Sequence, residues 1–386
     1  MGSLSHLRVL DLSRILAGPY CTQMLADLGA DVVKVERPGA GDDTRGWGPP
    51  FDESGMSAYF AAANRNKRSV ALDLKTDLGR EAIRRIAVRS DVVVENFRAG
   101  HLDAMGLGYD ALAEQNPGLV FCSITGFGST GPRRDEPGYD FLIQAMGGLM
   151  AITGDPDGEP MKVGVAVADL FAGTLAAVAI LAALAGRGQS GRGQRIDMSL
   201  YDSQLSMLAN VASSHLFTGV EPRRYGNAHP NIVPYQTLAA RDGRFALALG
   251  SDGQWAALCR ELGRQDLAVR LDLATNAGRV LGRDSLIPDL ERSFAELTVT
   301  EAVAACSRAG VPAGPVRGVA EAFSDPQTAA RQMVVETRRT DGTIVPTVGS
   351  PLALLATPPA YRLAPPRLGE HTDEVLAEIG LDPPSY

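Results

Sequence analysis

The sequence predicts an α/β protein, with a large domain on a Rossmann-like, doubly wound parallel sheet and a second, smaller α+β domain. Three observations lead there. Through the first 200 residues, short runs rich in Val, Leu and Ile alternate with segments of helical spacing, the pattern of parallel strands buried on both faces. After residue 225 the texture changes to glycine-bearing loops, one strand-like run and several amphipathic segments. A chain of 386 residues, 45% hydrophobic and 21% charged, is long enough to core two domains.

The expected strands of the large domain are "LRVLDL" (7–12), "DVVKVE" (31–36), "RSVALDL" (68–74), "DVVVENF" (91–97), "LVFCSIT" (119–125) and "RIDMSL" (195–200). Helices are expected between them at "PYCTQMLADLG", "TDLGREAIRRIAVRS" and "HLDAMGLGYDALAEQ", and another at 201–217. In the small domain "RFALALG" reads as a strand, and "QWAALCRELG" and "PDLERSFAELTVTEAVAACSRAG" as helices. The boundaries that follow are a large domain over 1–200 completed by 330–386, linkers at 201–225 and 317–329, and the small domain over 226–316. In the tail, strand-like runs at 333–336 and 343–346 precede a Pro-rich connection and a last short helix, "HTDEVLAEIG".

A formal net charge of −8 argues against nucleic acid or an anionic membrane as a partner, since both demand a basic footprint. The four cysteines, Cys21, Cys122, Cys259 and Cys306, form no C-x-x-C pair and read as reduced thiols. The N-terminus lacks a basic segment followed by an apolar one, so a cytoplasmic protein is expected. No His pair has metal-site spacing, and no bound metal or resident cofactor is expected.

The run from Val163 to Gly186 holds one charged residue, Asp169, among Ala, Val, Leu and Ile. It reads in three ways: a membrane span, disfavoured by the Asp and by the Ala/Gly content; a helix beginning near Leu170 with Asp169 as its cap; or a nucleophile or acid/base at the positive end of a buried helix.

Ligands of doubly wound sheets bind beyond the C-terminal strand ends. Basic residues gather near expected ends: Arg14, Arg37, Arg45, Arg65, Lys67, Arg68, Lys75 and Arg98, a set suited to a polyphosphate. "GFGSTG" (126–131) matches G-x-G-x-x-G, but Pro132 and a charged stretch follow where a helix should open, so a loop admitting a thin ligand arm is the better reading. "PGYDFLIQAMGG" offers Tyr139 and Asp140 as a core aromatic and a helix cap. "YGNAHPNIVPYQ" (225–236) and "GSDGQW" (250–255) are loops able to cover a site.

Taken in order, "VLDLSRILAGPYCTQMLADLGADVVKVERPGAGDDTR", "NRNKRSVALDLK", "ENFRAGHLDAMGLGYDAL", "GFGSTGP", "PGYDFLIQAMGG", "VADLFAG", "GRGQRIDMSLYDS", "GNAHPNIVPYQ", "GVPAGPV" and "LGEHTDEVL" resemble the class III (family III, CaiB/BaiF) CoA-transferases over nearly the whole chain. The resemblance implies that Asp169 is the nucleophile, attacking an acyl-CoA thioester to give an aspartyl anhydride and then an aspartyl-CoA thioester, with Tyr139 beside it. It implies that Leu16, Ala17, Arg37, Lys75, Asn96, Phe97, Arg98 and Met105 line the site for coenzyme A, which is a substrate rather than a resident cofactor. Gly226, Asn227, His229, Gly250 and Gly253 are implied as a lid over substrate. The partners implied are an acyl-CoA, a small carboxylic acid and a second copy of the chain in an interlocked homodimer.

Some transferases of this kind carry Arg at the position of Ala104, which leaves Arg98 to meet a phosphate. The short 225–236 loop looks like the dicarboxylate-using branch rather than the formyl/oxalate one. The related 2-methylacyl-CoA racemases need a His where this chain has Tyr139, too weak a base near neutral pH. A racemase and a non-catalytic CoA-binding protein stand as the alternative readings. Arg223, Arg224 and His229 are candidates for the distal carboxylate of an acceptor.

Overall fold

The structure, a computed structural model, describes residues 2–381. Its described residues divide into two compact units: one of 2–149, 163–219 and 326–381, the other of 150–162 and 220–325. Segment 201–219, read from sequence as linker, is therefore counted with the large unit. Its helix Leu200–Met207 packs on the long helix that contains Asp169. Segment 150–162 is counted with the small one.

The large unit is built on six parallel strands: β1 (Arg8–Asp11), β2 (Asp31–Glu36), β3 (Lys67–Ala71), β4 (Val92–Glu95), β5 (Val120–Thr125) and β6 (Arg195–Ser199). They lie in the order β3-β2-β1-β4-β5-β6, so the direction of winding reverses between β1 and β4. That reversal opens a crevice at the carboxyl ends of the two central strands. Side chains alternate between the faces. Val92 and Val94 join Val9, Val32 and Cys122 in one core, while Val93 joins Leu10, Val33, Val70 and Phe121 in the other.

The main helices of the large unit are α1 (Ala17–Asp27), α2 (Asp77–Val88), α3 (Asp140–Met146) and α4 (Val167–Ser190). Helix α2 begins where Thr76 accepts a hydrogen bond from Gly79 N, and its buried Ala82, Ile83, Ile86 and Ala87 cover one face of the sheet. The third helix expected from sequence, over 101–115, is broken. Gly106 takes a left-handed φ of 68°, leaving a single 3₁₀ turn (Asp103–Met105) and a five-residue helix, Tyr109–Ala113.

Helices α1 and α4 cover the other face. The buried stripe of α4 is Ala168, Ala172, Gly173, Ala176, Ala177, Ile180 and Ala183, almost all small, and this lets α1 approach closely. At Gly173 an added Cβ would stand well inside contact with the Ala17 carbonyl. Helix α4 is long and apolar enough by composition to cross a membrane, but this stripe is packed within the large unit.

The tail forms an antiparallel hairpin, Val334–Arg338 with Ile344–Val348, and the helix Thr372–Glu378, whose Val375 and Leu376 enter the α2-side core. In the small unit Tyr235–Ala240, Gly243–Ala248 and Ala313–Pro315 make an antiparallel sheet. The expected long helix after residue 287 is two, Arg283–Phe294 and Val299–Arg308, split where Thr298 and Glu301 form a capping box.

Gly173→Ala is expected to destabilise the large unit by about 1–3 kcal/mol, because the added methyl meets backbone that cannot rotate away. A lowered thermal midpoint checks this, whereas Gly186→Ala, on the same helix with open space around its Cα, leaves it within a degree or two.

Candidate active site

A cleft of about 610 Å³ lies beyond the carboxyl ends of the central strands and is lined entirely by residues of the large unit. It brings together all ten residues assigned to catalysis and CoA binding by the sequence. Leu16, Ala17, Phe97 and Met105 supply apolar wall; Arg37, Lys75, Asn96 and Arg98 supply polar groups; Tyr139 and Asp169 also border it. The five proposed lid residues belong to the small unit and are not among its lining residues.

Helix α4 begins at Val167, so Asp169 lies within its first turn and is not its cap. Its carboxylate accepts no hydrogen bond from the described residues. The orphan N–H of Ala168 is instead satisfied from another helix: Asp140, first residue of α3, accepts it at 2.8 Å and receives Gln144 Nε2 on its other oxygen at 2.7 Å. Asp140 thus relieves Asp169 of the capping task expected for it. Burial pushes the Asp169 carboxyl up to about 7, and the neighbouring charge of Asp140 adds to the shift, against the pull of the helix terminus. Tyr139 precedes α3 at the cleft edge and is 61% exposed, with no capping bond.

The cations fall into two sets. Arg14, Arg37, Lys75 and Arg98 line the cleft. Arg14 Nη1 and Arg37 Nη2 both reach Asp43, at 3.0 and 2.8 Å, so one carboxylate holds two guanidinium groups at its wall. The remaining four are corrections to the sequence reading. Strand β3 starts at Lys67, which puts Arg65, Lys67 and Arg68 at its amino end, away from the ligand-binding ends. Arg65 pairs with Asp27 at 2.6 Å, Lys67 with Asp11 at 3.0 Å, and Arg68 with Asp31 and Glu378, both at 2.6 Å. Arg45 forks onto Glu36 with two bonds of 2.7 Å.

Several groups escaped the sequence reading. Arg134 and His101 also line the cleft; Arg134 comes from the charged stretch after "GFGSTGP", which the sequence marks only as standing where a helix should open. His101 stacks on Phe97 at 5.3 Å. Burial and then the charge of Asp169 raise the Tyr59 phenol, which sits edge-on to Trp47 at 5.1 Å. Nothing in the spacing of "GWGPPFDESGMSAYF" signals that arrangement. The "GFGSTG" segment opens no helix: Gly126 packs on Gly138, and Ser129 N and Oγ both donate to Asp197.

In the small unit Gly226 adopts φ 59°, Asn227 donates to Thr237 Oγ1 at 3.2 Å, Gly250 N donates to Gln254, and Gly253 lies in the helix Asp252–Glu261. His229 Nδ1 accepts from Asn231 N at 3.0 Å, leaving only Nε2 free to meet a ligand. Arg224 has a structural engagement at each guanidinium nitrogen. Its guanidinium is engaged by the carbonyls of Ala151, Asp155 and Gly158 and braces the 150–162 excursion. Arg223 stands 4.7 Å over the Tyr225 ring.

A doubly wound sheet with a cleft at its switch point, lined by charged and apolar groups and bordered by one buried, unpartnered carboxylate at the start of an adjoining helix, is the arrangement of a ligand-binding α/β protein. Residues 4–372 match the model of CoA-transferase family III, and the chain belongs to that family. It is 48% identical to a succinate–glutarate CoA-transferase of Agrobacterium fabrum, over 97% of this chain and 95% of that one. It is 44% identical to a succinyl-CoA:mesaconate CoA-transferase of Haloarcula hispanica, over 99% and 97%. The crystal structure of a CaiB/BaiF family protein from Brucella suis superposes with a TM-score of 0.88 at 48% identity, covering 98% of this chain and 99% of that one.

Asp169→Asn is expected to stabilise the protein above pH 7. Between the ordinary Asp value of 3.8 and about 7 the unfolded carboxyl is ionised and the folded one protonated, so stability falls as pH rises through that window. The amide escapes this cost, on the order of 1–4 kcal/mol. Thermal midpoints of the two proteins should diverge at pH 8 and converge near pH 4.

Proposed function

We propose that the protein moves CoA from a dicarboxylic acyl-CoA such as succinyl-CoA to a free dicarboxylic acid, with Asp169 as covalent nucleophile. The observation that supports this most is the Asp169 carboxylate itself: buried and free of structural hydrogen bonds, it borders a cleft in which Asp42 and Asp43 are tied to Lys34, Arg14 and Arg37 while it is tied to nothing among the described residues. A carboxylate relieved of capping and deprived of water is a better nucleophile than a solvated one.

In this reading an Asp169 oxygen attacks the thioester carbon; the C–O bond forms, the C–S bond breaks and CoA thiolate leaves. The thiolate then attacks the Asp169 Cγ of the mixed anhydride, releasing the donor acid and leaving an aspartyl-CoA thioester. The acceptor carboxylate attacks that thioester, the thiolate departs again, and its attack on the acceptor's acyl carbon regenerates Asp169. Arg14, Arg37, Lys75, Arg98 and Arg134 meet the phosphates of CoA, and Leu16, Phe97 and Met105 the adenine and pantetheine. The uncapped first turn of α1, whose cap residue Leu16 makes no side-chain bond, offers N–H groups to developing negative charge. No imidazole stands at residue 139 to serve a racemase.

We place the protein in the cytoplasm, with four free, buried thiols, and read it as an interlocked homodimer. The second copy is supported by apolar side chains left outside the cores, Leu216 at 83% exposure and Phe217 at 91%. Their substitution by Ser together is expected to weaken a dimer seen by light scattering.

The test is peptide mass spectrometry after mixing with succinyl-CoA, with hydroxylamine or borohydride trapping. An adduct on Asp169, absent from Asp169→Asn, is expected. Failure to form one, together with solvent exchange of the α-proton of a 2-methylacyl-CoA, would replace the transferase by a racemase. Because the attacking group is ionised, kcat/KM for acyl-CoA should fall as pH drops through about 7. Asp43→Ala, which frees Arg14 and Arg37 from an exposed pairing, should lower the KM for acyl-CoA by about 2- to 5-fold.

A further inference from the structure

We propose that the Asn96 side chain is a positioning group that acts through the backbone of Arg14 and Ile15, rather than a carboxamide that meets CoA. The inference rests on the transferase reading above.

Between the end of β1 and the start of α1 the chain must turn from extended to helical within a few residues. Each backbone N–H on the way is claimed in turn. Leu12 N donates to the Val94 carbonyl of β4, Ser13 N to Asp11, Arg14 N to Asn96 and Ile15 N to both oxygens of Asp42. Asn96 also returns a bond, from Nδ2 to the Arg14 carbonyl at 2.7 Å, while its Oδ1 takes Arg14 N at 2.9 Å. Both atoms of the carboxamide are therefore engaged by the opposing loop.

The reason for this concentration of bonds is the next residue. Ile15 has φ 70°, the left-handed region, which a β-branched side chain adopts only when its surroundings force it. Asn96 grips the peptide on its amino side, and Asp42, itself fixed by Lys34 and Thr44, takes its N–H. Ile15 is the pivot that aims α1. The Ala17 carbonyl, two residues on, lies against Gly173, one helical turn beyond Asp169. A relaxed Ile15 would shift the α1 end of the cleft relative to the nucleophile, a displacement that harms the reacting geometry more than the grip on CoA.

The two roles for Asn96 separate in kinetics. A ligand of CoA would, when truncated, raise KM with kcat held; a positioning residue lowers kcat. Asn96→Ala is expected to lower kcat by about 10- to 100-fold with the acyl-CoA KM changed less than about 3-fold. Asn96→Asp, which keeps an acceptor for Arg14 N but sets a carboxylate oxygen against the Arg14 carbonyl, should lose as much. Glycine adopts φ 70° without strain, so adding Ile15→Gly should recover most of the kcat lost in Asn96→Ala.

Should Asn96→Ala alone fail to fold, a folded and active double variant is the same rescue. A rise in KM alone, or losses that multiply independently in the double variant, would overturn the positioning role while leaving the transferase intact. A wild-type enzyme that transfers no CoA would remove the transferase reading and this inference with it.

Discussion

The large unit depends on a pair of buried ion pairs at the β1–β2–β3 side of its sheet. Lys34 and Lys67 are fully enclosed, as are Asp11 and Asp42, and the four are joined by bonds of 2.9 and 3.0 Å. Burial opposes ionisation of Asp11, but Lys67, Lys34, Ser13 and Thr22 outweigh it and hold the carboxyl at about 2. Burial likewise pulls Lys67 down to about 8, with Asp11 resisting. A charge stranded there without its partner would cost about 3–5 kcal/mol, so the set stands or falls together. Its value is geometric. Lys34 also donates to the Ser13 carbonyl, and Asp42 reaches Ile15 and Thr44, so the network fixes the loops that frame the cleft.

A second electrostatic arrangement is laid over that scaffold. Asp140 completes the start of α4 and in the same position repels the charge of Asp169. Glu95, at the end of β4, is raised by burial to about 7 while it accepts the Phe97 N–H at 2.7 Å. Two carboxyls that ionise near neutrality thus serve one cleft: one faces it, and the other braces a residue of its wall.

Much of this was legible in the sequence because strands buried on both faces leave a strong pattern. All six parallel strands were found, β2 at both of its expected ends and the others with ends within three residues. The larger error at β3 was one of polarity: Arg65, Lys67 and Arg68 were counted with the ligand-end cations although they stand at the amino end of the strand, where they are structural. Family resemblance placed ten residues that share one cleft, yet periodicity alone left Asp169 undecided between cap and nucleophile, because the group that caps α4 lies in a different helix. Arg224 looked free for the same reason: backbone carbonyls leave no trace in a sequence. Arg134 was missed because a loop without period reveals nothing about where it folds back, and Tyr59 because its helix, Ala58–Ala62, is too short to leave a periodic pattern.

The bonds that seal the large unit span great lengths of chain. Arg65 donates to the Val348 carbonyl, Asn66 Nδ2 to that of Ala360, and Arg68 pairs with Glu374 and Glu378. On a ribosome adding about 5–20 residues each second, the amino-terminal strands wait through most of synthesis before these partners emerge. Until then the charges beside β3 remain in water and the sheet edge stays open. A nascent chain is thus the species in need of chaperone protection, and ligand competence arrives late, as a property of the nearly finished polypeptide.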